Sequence, residues 1–286
     1  HYLNWAQKLI DKGLAYADPY TPEEVDKFRE EAKANKKAFL FRDYRPDSLD
    51  SEPPIWDGSQ PLRFKVPEIK RYSWHDEVMG DLSAGPEALD DFILIKSDGL
   101  PTYNFAHIVD DTEMQISHII RGLEYIPSIP KYLSLYEALD LEVPIMACLP
   151  HILAPDGKKK LGKRDGAKSV QEYRKDGILP EAMLNFLASM GWNDGTEQEI
   201  FSREELIAKF SLDRVQRSGA RFDEQRLLWM NGQWIRRLSV DNLYDRSQDF
   251  WPESTNNIAP EAKKQVLALV QDRLKTLTDI KTLTSY

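Results

Sequence analysis

The residues with the clearest chemical potential lie in a short basic segment, residues 157–168, which reads GKKKLGKRDGAK. It contains one acid and six bases, namely Asp165 and Lys158, Lys159, Lys160, Lys163, Arg164 and Lys168. The chain as a whole has the opposite balance, with 38 basic and 47 acidic residues and a net charge of −9. Ammonium groups can follow negative charge as it moves between phosphate oxygens. The segment therefore predicts a polyphosphate site.

The surroundings of the basic segment leave three interpretations open. Composition alone fits a solvated surface loop. Residues 157–163 also read GxxxxGK, as in a P-loop, but Arg164 stands where Ser or Thr should hold magnesium, and Asp-Gly then breaks the required helix. The third interpretation is a mobile ligand-binding loop, because Gly157 and Gly162 allow backbone mobility. Apolar residues within 145–153 predict a buried strand before it, and open α/β sheets bind ligands beyond such strand ends.

A family resemblance favours the third interpretation. Residues 160–164, KLGKR, resemble the KMSKS signature of class I aminoacyl-tRNA synthetases. They are similar in particular to the KLSKR form of glutamyl-tRNA synthetases, which is followed by a similar DGAKSV. Gly162 stands in place of Ser, which removes one hydroxyl donor and keeps both lysines. We therefore expect this segment to contact ATP.

A second motif, SDGLPTYNFAHIVDD, occupies residues 97–111. Pro101 can open a helix, and Tyr103 and His107 are four residues apart, so they share one helical face. From the residues alone this is an amphipathic helix that packs Tyr103 and Phe105. The motif is, however, closely similar to the glutamyl-tRNA synthetase helix whose Tyr touches the amino acid. The resemblance implies that Tyr103 and His107 bind glutamate, although the family varies at the His107 position.

A third motif follows a β-branched run. Isoleucines at 116, 119 and 120 predict a central parallel strand that ends at Arg121. A planar guanidinium binds a carboxylate in bidentate fashion and does not lose its proton. Residues 121–124 resemble the family turn in which Arg binds the substrate glutamate and Glu meets ATP. The resemblance thus assigns glutamate binding to Arg121 and ATP binding to Glu124.

Composition limits the other possibilities. A chain of 286 residues with 41% hydrophobic content can bury a core and divide into two or three domains. No apolar run approaches the roughly 18 residues of a membrane span, and we expect a cytoplasmic protein. Cys148 is the single cysteine, which excludes intrachain disulfides and cysteine-based zinc sites. The five histidines lack metal-ligand spacing, so we predict no protein-bound metal and no zinc.

The elements that must position these motifs predict an α/β fold. We expect a split doubly wound (Rossmann-like) nucleotide-binding domain with an α+β insertion, followed by an all-helical region. The insertion carries three short β-like pieces at 38–42, 62–66 and 92–96 among turn-rich segments. Residues 178–235 resemble the stem-contact region of glutamyl-tRNA synthetases.

Five segments are predicted along the chain. Residues 1–14 end the first half of the catalytic domain, and 15–96 form an insertion, which the resemblance to glutamyl-tRNA synthetases implies grips the tRNA acceptor end. Residues 97–165 form the second catalytic half with the basic segment. Residues 166–238 form the stem-contact helical domain, and 239–286 begin an anticodon-binding helical domain.

The resemblance implies a glutamate–tRNA ligase acting in two steps. The α-carboxylate of glutamate attacks the α-phosphorus of ATP, giving glutamyl-adenylate and pyrophosphate. The ribose hydroxyl at the tRNA 3′ end then takes the acyl group. We predict Lys163 as the transition-state contact, assisted by Lys160 and Arg164, with magnesium accompanying ATP. The predicted ATP-binding residues are Glu124, Ile152, Lys160, Leu161, Gly162, Lys163 and Arg164.

The predicted partners are tRNA(Glu), L-glutamate and ATP, with no membrane, and the protein is expected to be a monomer. Two alternatives stay open, a glutaminyl-tRNA synthetase of similar architecture and a tRNA-binding fragment without catalysis. The family's first strand and HIGH signature are expected before His1. We therefore predict that residues 1–286 alone do not aminoacylate tRNA.

Overall fold

The structure, a computed structural model, describes residues 1–51, 53–162, 164 and 166–284. Within the chain, Cα packing separates two compact units, His1–Cys148 and Leu149–Tyr286. The first unit is mixed α/β, and the second is mostly helical. The helices of the first unit are α1 Tyr2–Asp11, α2 Pro22–Ala34, α3 Tyr103–Glu113 and α4 Ile129–Ala138. Its strands are β1 Ala15–Ala17, β2 Leu62–Phe64, β3 Tyr72–Asp76, β4 Gly80–Ala84, β5 Ile93–Ile95, β6 His118–Gly122 and β7 Ile145–Leu149.

Two sheets organise this unit. The first is antiparallel, in the order β1-β2-β5, with Ala15 opposite Phe64 and Leu62 opposite Ile95. The second has the order β4-β3-β7-β6, with β3 and β4 forming an antiparallel hairpin. Strand β3 pairs in parallel with β7, through Asp76 and Met146. The parallel pair is the part of the sheet that resembles the predicted doubly wound arrangement.

Two details of the strand prediction were wrong. Strand β6 was predicted to be central, but within the described residues it lies at the edge of its sheet, and Ile120 on it is half exposed. The predicted β-like piece at 38–42 is not a strand. A 3-10 helix covers Phe41–Tyr44 instead, and Phe41 is buried with the guanidinium of Arg63 stacked 3.3 Å from its ring centre. Tertiary packing has overridden the local β propensity there.

The helix starts follow local sequence chemistry. Thr21 and Glu24 form a capping box at α2, in which the Thr21 hydroxyl accepts the Glu24 amide and the Glu24 carboxylate accepts the Thr21 amide. Helix α1 ends at Asp11, and Gly13 follows with a φ of +69°, a conformation that favours glycine. These ends place the apolar faces of the helices against the sheets.

A buried apolar cluster joins α1, α3 and α4 to the first sheet. Its fully buried members include Leu9, Leu94, Phe105, Ile108 and Leu135. At roughly 1.5–3 kcal/mol for each large apolar side chain, this burial supplies most of the force that fixes α3 and α4. Both helices therefore present their remaining faces as rigid surfaces.

A buried charged network stabilises the region around the first sheet, and we call it the Asp91 network. The Asp91 carboxylate accepts from Arg45 Nε at 2.7 Å and from the Tyr16 hydroxyl at 2.8 Å. Beside it, Arg63 Nε donates to Asp18 at 2.7 Å and its Nη1 donates to the Asp91 carbonyl at 2.9 Å. Asp91 is 1% exposed, so each of these partners offsets a desolvation cost.

The second unit consists mainly of helices, which follow a hairpin within residues 152–161. They are α5 Val170–Lys175, α6 Pro180–Ser189, α7 Arg203–Lys209, α8 Glu224–Arg237, α9 Val240–Arg246, α10 Pro260–Val270 and α11 Asp279–Leu283. Capping boxes begin α5 at Ser169 and α7 at Ser202. In the part of the chain that the structure describes, no helix is both long and apolar enough to cross a membrane.

One apolar cluster of the second unit contains residues from both sides of position 238, among them Leu179, Ile235 and Leu267. The buried side chain of Asn231 joins the same parts, because it accepts from the Leu179 amide at 2.8 Å and donates to the Lys275 carbonyl at 2.7 Å. The predicted division of the chain into five segments stays a prediction.

Candidate functional site

Two of the predicted glutamate-binding residues lie stacked on one face of α3. The rings of Tyr103 and His107 are 5.1 Å apart at their centres and inclined by 14°. His107 Nδ1 lies 2.8 Å from the Tyr103 carbonyl oxygen. Since a carbonyl can only accept, Nδ1 must carry the proton, which leaves Nε2 of the neutral ring as an acceptor. The helix thus fixes both the position and the tautomer of His107.

The third predicted residue, Arg121, joins them from strand β6. Its guanidinium donates a short hydrogen bond to the Tyr103 hydroxyl. The guanidinium carbon lies 5.5 Å from the ring centre of Tyr103 and 5.1 Å from that of Tyr125. Cation–π contacts of this kind hold a guanidinium in place without neutralising its charge. The structure therefore brings Tyr103, His107 and Arg121 together.

Of these residues, His107 and Arg121 line a small pocket within the first unit, with a free volume of about 30 Å³. That volume holds about one water molecule. The tyrosines of α4 form one wall, where Tyr132 meets His107 edge-on at 4.6 Å and donates to Asn104 Oδ1 at 2.9 Å. The pocket is lined by His107, Ile119, Arg121, Tyr125, Ile129, Tyr132, Tyr136, Met146 and Cys148.

Sequence reasoning missed the aromatic wall of this pocket. Tyr132 and Tyr136 are four residues apart on α4, the spacing that puts two side chains on one helical face. Tyr125 follows Arg121 by four positions, within a 3-10 helix, Leu123–Ser128. The spacing of these three tyrosines was a usable signal.

Burial sets the charge state of the pocket. It raises the pKa of Tyr103 to about 12, with a further contribution from the hydrogen bond to Tyr125. Burial also raises the pKa of Tyr136 and lowers the pKa of His107. At neutral pH the tyrosine is protonated and the imidazole is neutral, while Arg121 keeps its positive charge. The pocket therefore offers a cation and hydrogen-bonding groups to an anionic ligand.

Strand β7 closes the pocket with Met146 and Cys148. Burial, together with the hydrogen bond and the charge of the nearby Asp76 carboxylate, raises the pKa of the Cys148 thiol to about 12. A neutral thiol is a poor nucleophile, so Cys148 acts here as an apolar wall. One oxygen of the fully buried Asp76 accepts from the amides of Val78, Met79 and Cys148 at 2.8–3.0 Å. Asp76 thereby holds the β3–β4 turn against β7.

The predicted ATP contact Glu124 lies in the turn after β6. Its carboxylate folds back so closely onto Gly122 that a Cβ at position 122 would collide with it. The carboxylate is the movable end of a flexible side chain and Gly122 has a φ of −76°, so neither feature requires a glycine here. Glu124 is not among the residues that line the pocket, and its role with ATP stays a prediction.

The basic segment lies in the second unit, where its first part forms a hairpin. The Leu161 amide donates to the Ile152 carbonyl at 2.8 Å, and the Ala154 amide donates to the Lys159 carbonyl at 2.8 Å. Gly157 makes the turn with a φ of +70°. The hairpin therefore brings together Ile152, Lys160 and Leu161, three of the predicted ATP-binding residues.

The rest of the basic segment, residues 162–168, follows the hairpin. The Ala167 amide donates to the Gly162 carbonyl at 3.3 Å. Lys168 Nζ pairs with Asp176 at 2.8 Å and with Glu224 at 3.4 Å. Lys163, the predicted transition-state contact, and Asp165 lie outside the described residues. The roles of Lys160, Lys163 and Arg164 stay predictions.

Arg221 supports the hairpin and was not anticipated. Its Nη2 donates to the Asp156 carbonyl at 3.1 Å, and its side chain fills the space where a Cβ on Gly157 would stand. The neighbouring Phe222 amide donates to the Leu153 carbonyl at 3.0 Å. Nothing in the local sequence of residues 219–222 marks this contact, because it joins positions over 60 residues apart.

The chain resembles known proteins in sequence. The family model described as tRNA synthetases class I (E and Q), catalytic domain, matches residues 1–229. A glutamate–tRNA ligase of Clostridium botulinum strain Hall is 40% identical over 284 residues, which cover 98% of this chain and 58% of that protein. Glutamate–tRNA ligase 2 of Caldicellulosiruptor saccharolyticus is 38% identical over 291 residues, covering 100% of this chain and 60% of that protein.

Two solved structures have a fold similar to that of this chain. A glutamate tRNA ligase from Elizabethkingia meningosepticum, solved in complex with its amino acid, has a TM-score of 0.84 at 32% identity, covering 98% of this chain and 61% of that one. The glutamate–tRNA synthetase from Elizabethkingia anophelis has a TM-score of 0.83 at 32% identity, with 98% and 62% covered. The predicted α/β, Rossmann-like synthetase fold is confirmed. The chain spans about three fifths of the length of these relatives.

Proposed function

The chain belongs to the class I tRNA synthetases for glutamate and glutamine, and we propose that the protein is a glutamate–tRNA ligase. It activates L-glutamate with ATP to glutamyl-adenylate and transfers the glutamyl group to the 3′ end of tRNA(Glu). The observation that carries this proposal is the position of Arg121, whose guanidinium is held by Tyr103 and Tyr125 at the mouth of an aromatic pocket.

The choice of glutamate over glutamine follows from charge. A guanidinium and a carboxylate form two parallel charge-assisted hydrogen bonds, about twice as strong as neutral ones. A side-chain amide offers one acceptor oxygen and would leave an NH₂ group facing the cation. A site built around such a pairing rejects the analogue that cannot complete it. We therefore assign the side-chain carboxylate of glutamate to Arg121, with Tyr103 and His107 beside it.

The basic segment supplies the second half of the proposed chemistry. As the α-carboxylate of glutamate attacks the α-phosphorus, negative charge develops on the phosphates of ATP. Preorganised cations stabilise that charge, so catalysis consists of positioning and electrostatics. We assign this work to Lys163, with Lys160 and Arg164, and ATP backbone contacts to the hairpin at Ile152, Leu161 and Gly162. Magnesium enters with ATP as part of the substrate.

Aminoacylation by the full-length protein tests the proposal. The protein is offered glutamate or glutamine together with tRNA(Glu) or tRNA(Gln), and acid-stable aminoacyl-tRNA is counted. We expect glutamate on tRNA(Glu) and no charging with glutamine. Glutamine on tRNA(Gln) would identify the glutaminyl enzyme instead. Binding of tRNA without charging of either amino acid would identify a tRNA-binding protein.

A further inference from the structure

Five buried polar atoms in the first unit have no hydrogen-bond partner among the described residues, and two of them are the Tyr136 hydroxyl and Asp111 Oδ2. The other three are Trp74 Nε1, Asp76 Oδ2 and Ser134 Oγ. Tyr136 is 1% exposed and lines the pocket. A buried polar group without a partner destabilises the folded state. Such groups are rare in folded proteins, and each one has a local reason.

The two atoms belong to facing stripes of two helices. On α3 the residues Tyr103, His107 and Asp111 follow one another at intervals of four, and on α4 Tyr132 and Tyr136 do the same. Side chains at this spacing share one face. The two stripes are in contact, because the ring centres of His107 and Tyr132 lie 4.6 Å apart. Asp111 and Tyr136 each lie one helical turn further along their own helix.

An electrostatic effect supports the proximity of Asp111 and Tyr136. The negative charge of Asp111 contributes to raising the pKa of Tyr136, after burial, which is the larger cause. The tyrosine therefore keeps its proton and is a donor at neutral pH. A carboxylate oxygen is an acceptor. The two groups are complementary, although no direct hydrogen bond joins them in the structure.

Tyr136 lines a pocket whose free volume of about 30 Å³ admits an ordered water, whereas Asp111 is not among the lining residues. A water placed between the two side chains can accept from the Tyr136 hydroxyl and donate to Asp111 Oδ2. Its second proton remains available to an acceptor, and His107 Nε2 is one because Nδ1 donates to the Tyr103 carbonyl. A buried water with about three such partners is a stable part of a protein.

We propose that Tyr136 and Asp111 are a pair of positioning residues, joined by one ordered water, that fixes the stripe of α3 carrying Tyr103 and His107. The pair touches no substrate and acts through those two side chains. The effect on catalysis rests on the proposed function, because it places the residues that we assign to glutamate. The bridging water itself does not depend on that function.

The first experiment uses Tyr136→Phe, which removes one oxygen atom and keeps the ring. In pyrophosphate exchange by the full-length protein with tRNA present, we expect the KM for glutamate to rise about 3–10-fold, the effect of one hydrogen bond. The KM for ATP should stay unchanged. Asp111→Asn, which weakens the same bridge, should give a similar rise.

The double variant tests whether one water joins the two residues. If it does, the combined variant is no worse than Tyr136→Phe alone, because the bridge has already been lost. Multiplied effects would show that the residues act independently and would overturn the proposal. So would a Tyr136→Phe protein whose KM for glutamate and Tm are unchanged, or whose Tm rises, since that hydroxyl would then have no partner to lose.

A matched control comes from Tyr16, whose hydroxyl donates directly to Asp91 at 2.8 Å in the Asp91 network. Tyr16→Phe should lower Tm by a few degrees and leave both KM values unchanged.

A crystal structure of the protein separates the two proposals, even if glutamate is not the substrate. We expect an ordered water within about 3.2 Å of both Tyr136 Oη and Asp111 Oδ2. A dry pocket there contradicts the bridge.

Discussion

Two buried tyrosine–aspartate pairs in the first unit show how similar residues serve stability and function differently. In the Asp91 network, Tyr16 donates directly to Asp91, and Arg45 completes the pair with an ion pair. By contrast, the hydroxyl of Tyr136, which lines the pocket, and Asp111 Oδ2 lack partners among the described residues. The first arrangement satisfies its own polar groups, and the second leaves them available. A site that must accept a ligand or a water cannot be closed by its own side chains.

The same contrast holds for the arginines of the two regions. The guanidinium of Arg45 pairs with the buried carboxylate of Asp91 and donates to the Val66 carbonyl. Arg121 contacts a neutral hydroxyl and two aromatic rings, so its positive charge is not compensated by these groups. Loss of the first arginine's partner should damage the fold, whereas loss of the second arginine should damage substrate binding.

The largest expected effect is on stability, from Asp91→Asn. The substitution keeps the size of the side chain and leaves the Arg45 charge without a counterion. We expect local stability around β1 and β2 to fall by about 3 kcal/mol, as for other broken buried pairs. Native-state hydrogen exchange at the amides of β2 measures this fall, because it reports local opening in a protein of more than one unit.

The control for this variant is Asp140→Asn. Asp140 is 82% exposed and pairs with Lys12 at the surface. Exposed ion pairs contribute little, so exchange should be nearly unchanged. Equal effects of the two substitutions would remove the distinction between the Asp91 network and ordinary surface pairs.

The next largest effect is on activity, from Arg121→Ala. Without the guanidinium, the glutamate carboxylate loses its charged partner in a desolvated pocket. We expect kcat/KM for glutamate in pyrophosphate exchange, with tRNA present, to fall about 10²–10³-fold. The exchange rates of β2 amides should not change. Arg29→Ala, an exposed arginine paired with Asp26, is the control and should retain full activity. Unaltered kinetics in Arg121→Ala would end the assignment of Arg121 to glutamate.

The smallest expected effect is a pH dependence of stability. Burial lowers the pKa of His107, so below about pH 6.5 the unfolded chain takes up this proton before the folded protein does. The contribution of His107 to stability is therefore lost as the pH falls through 6.5 towards the lower folded pKa. Arg121 adds to this shift, and Asp110 and Asp111 oppose it. His107→Asn should weaken the acid destabilisation between pH 7.5 and 5.5, measured by urea midpoints.

His75 offers the opposite sign for comparison. Its exposed ring lies 2.7 Å from Asp81, whose hydrogen bond raises the pKa of His75. The resulting stability is present at pH values below about 6.5 and is lost as the pH rises through the folded pKa. His75→Asn should therefore reduce stability at pH 5.5 more than at pH 7.5. The same sign for both histidines would contradict the burial of His107.

Much of this arrangement was accessible from local sequence patterns. The spacing of Tyr103 and His107 placed them on one helical face, and the β-branched run placed Arg121 on a strand. Capping boxes at Thr21 and Ser202 began helices where predicted. These features depend on residues within about one helical turn of each other, so a single sequence contains them.

The remainder depends on contacts between distant parts of the chain. The tyrosines of α4 become pocket residues because α4 packs beside α3, and Arg221 reaches Gly157 across 64 positions. The β3–β4 hairpin went unrecognised because its exposed positions carry His75, Asp81 and Ser83, which are not typical strand residues. The position of β6 at a sheet edge reflects the topology of the sheet, which no local pattern encodes.

A crystal structure of the full-length protein with L-glutamate tests the central claim most directly. We expect the side-chain carboxylate of glutamate to lie within about 3.2 Å of the Arg121 guanidinium, beside the Tyr103 hydroxyl. Glutamate bound with its side chain away from Arg121 would contradict this assignment.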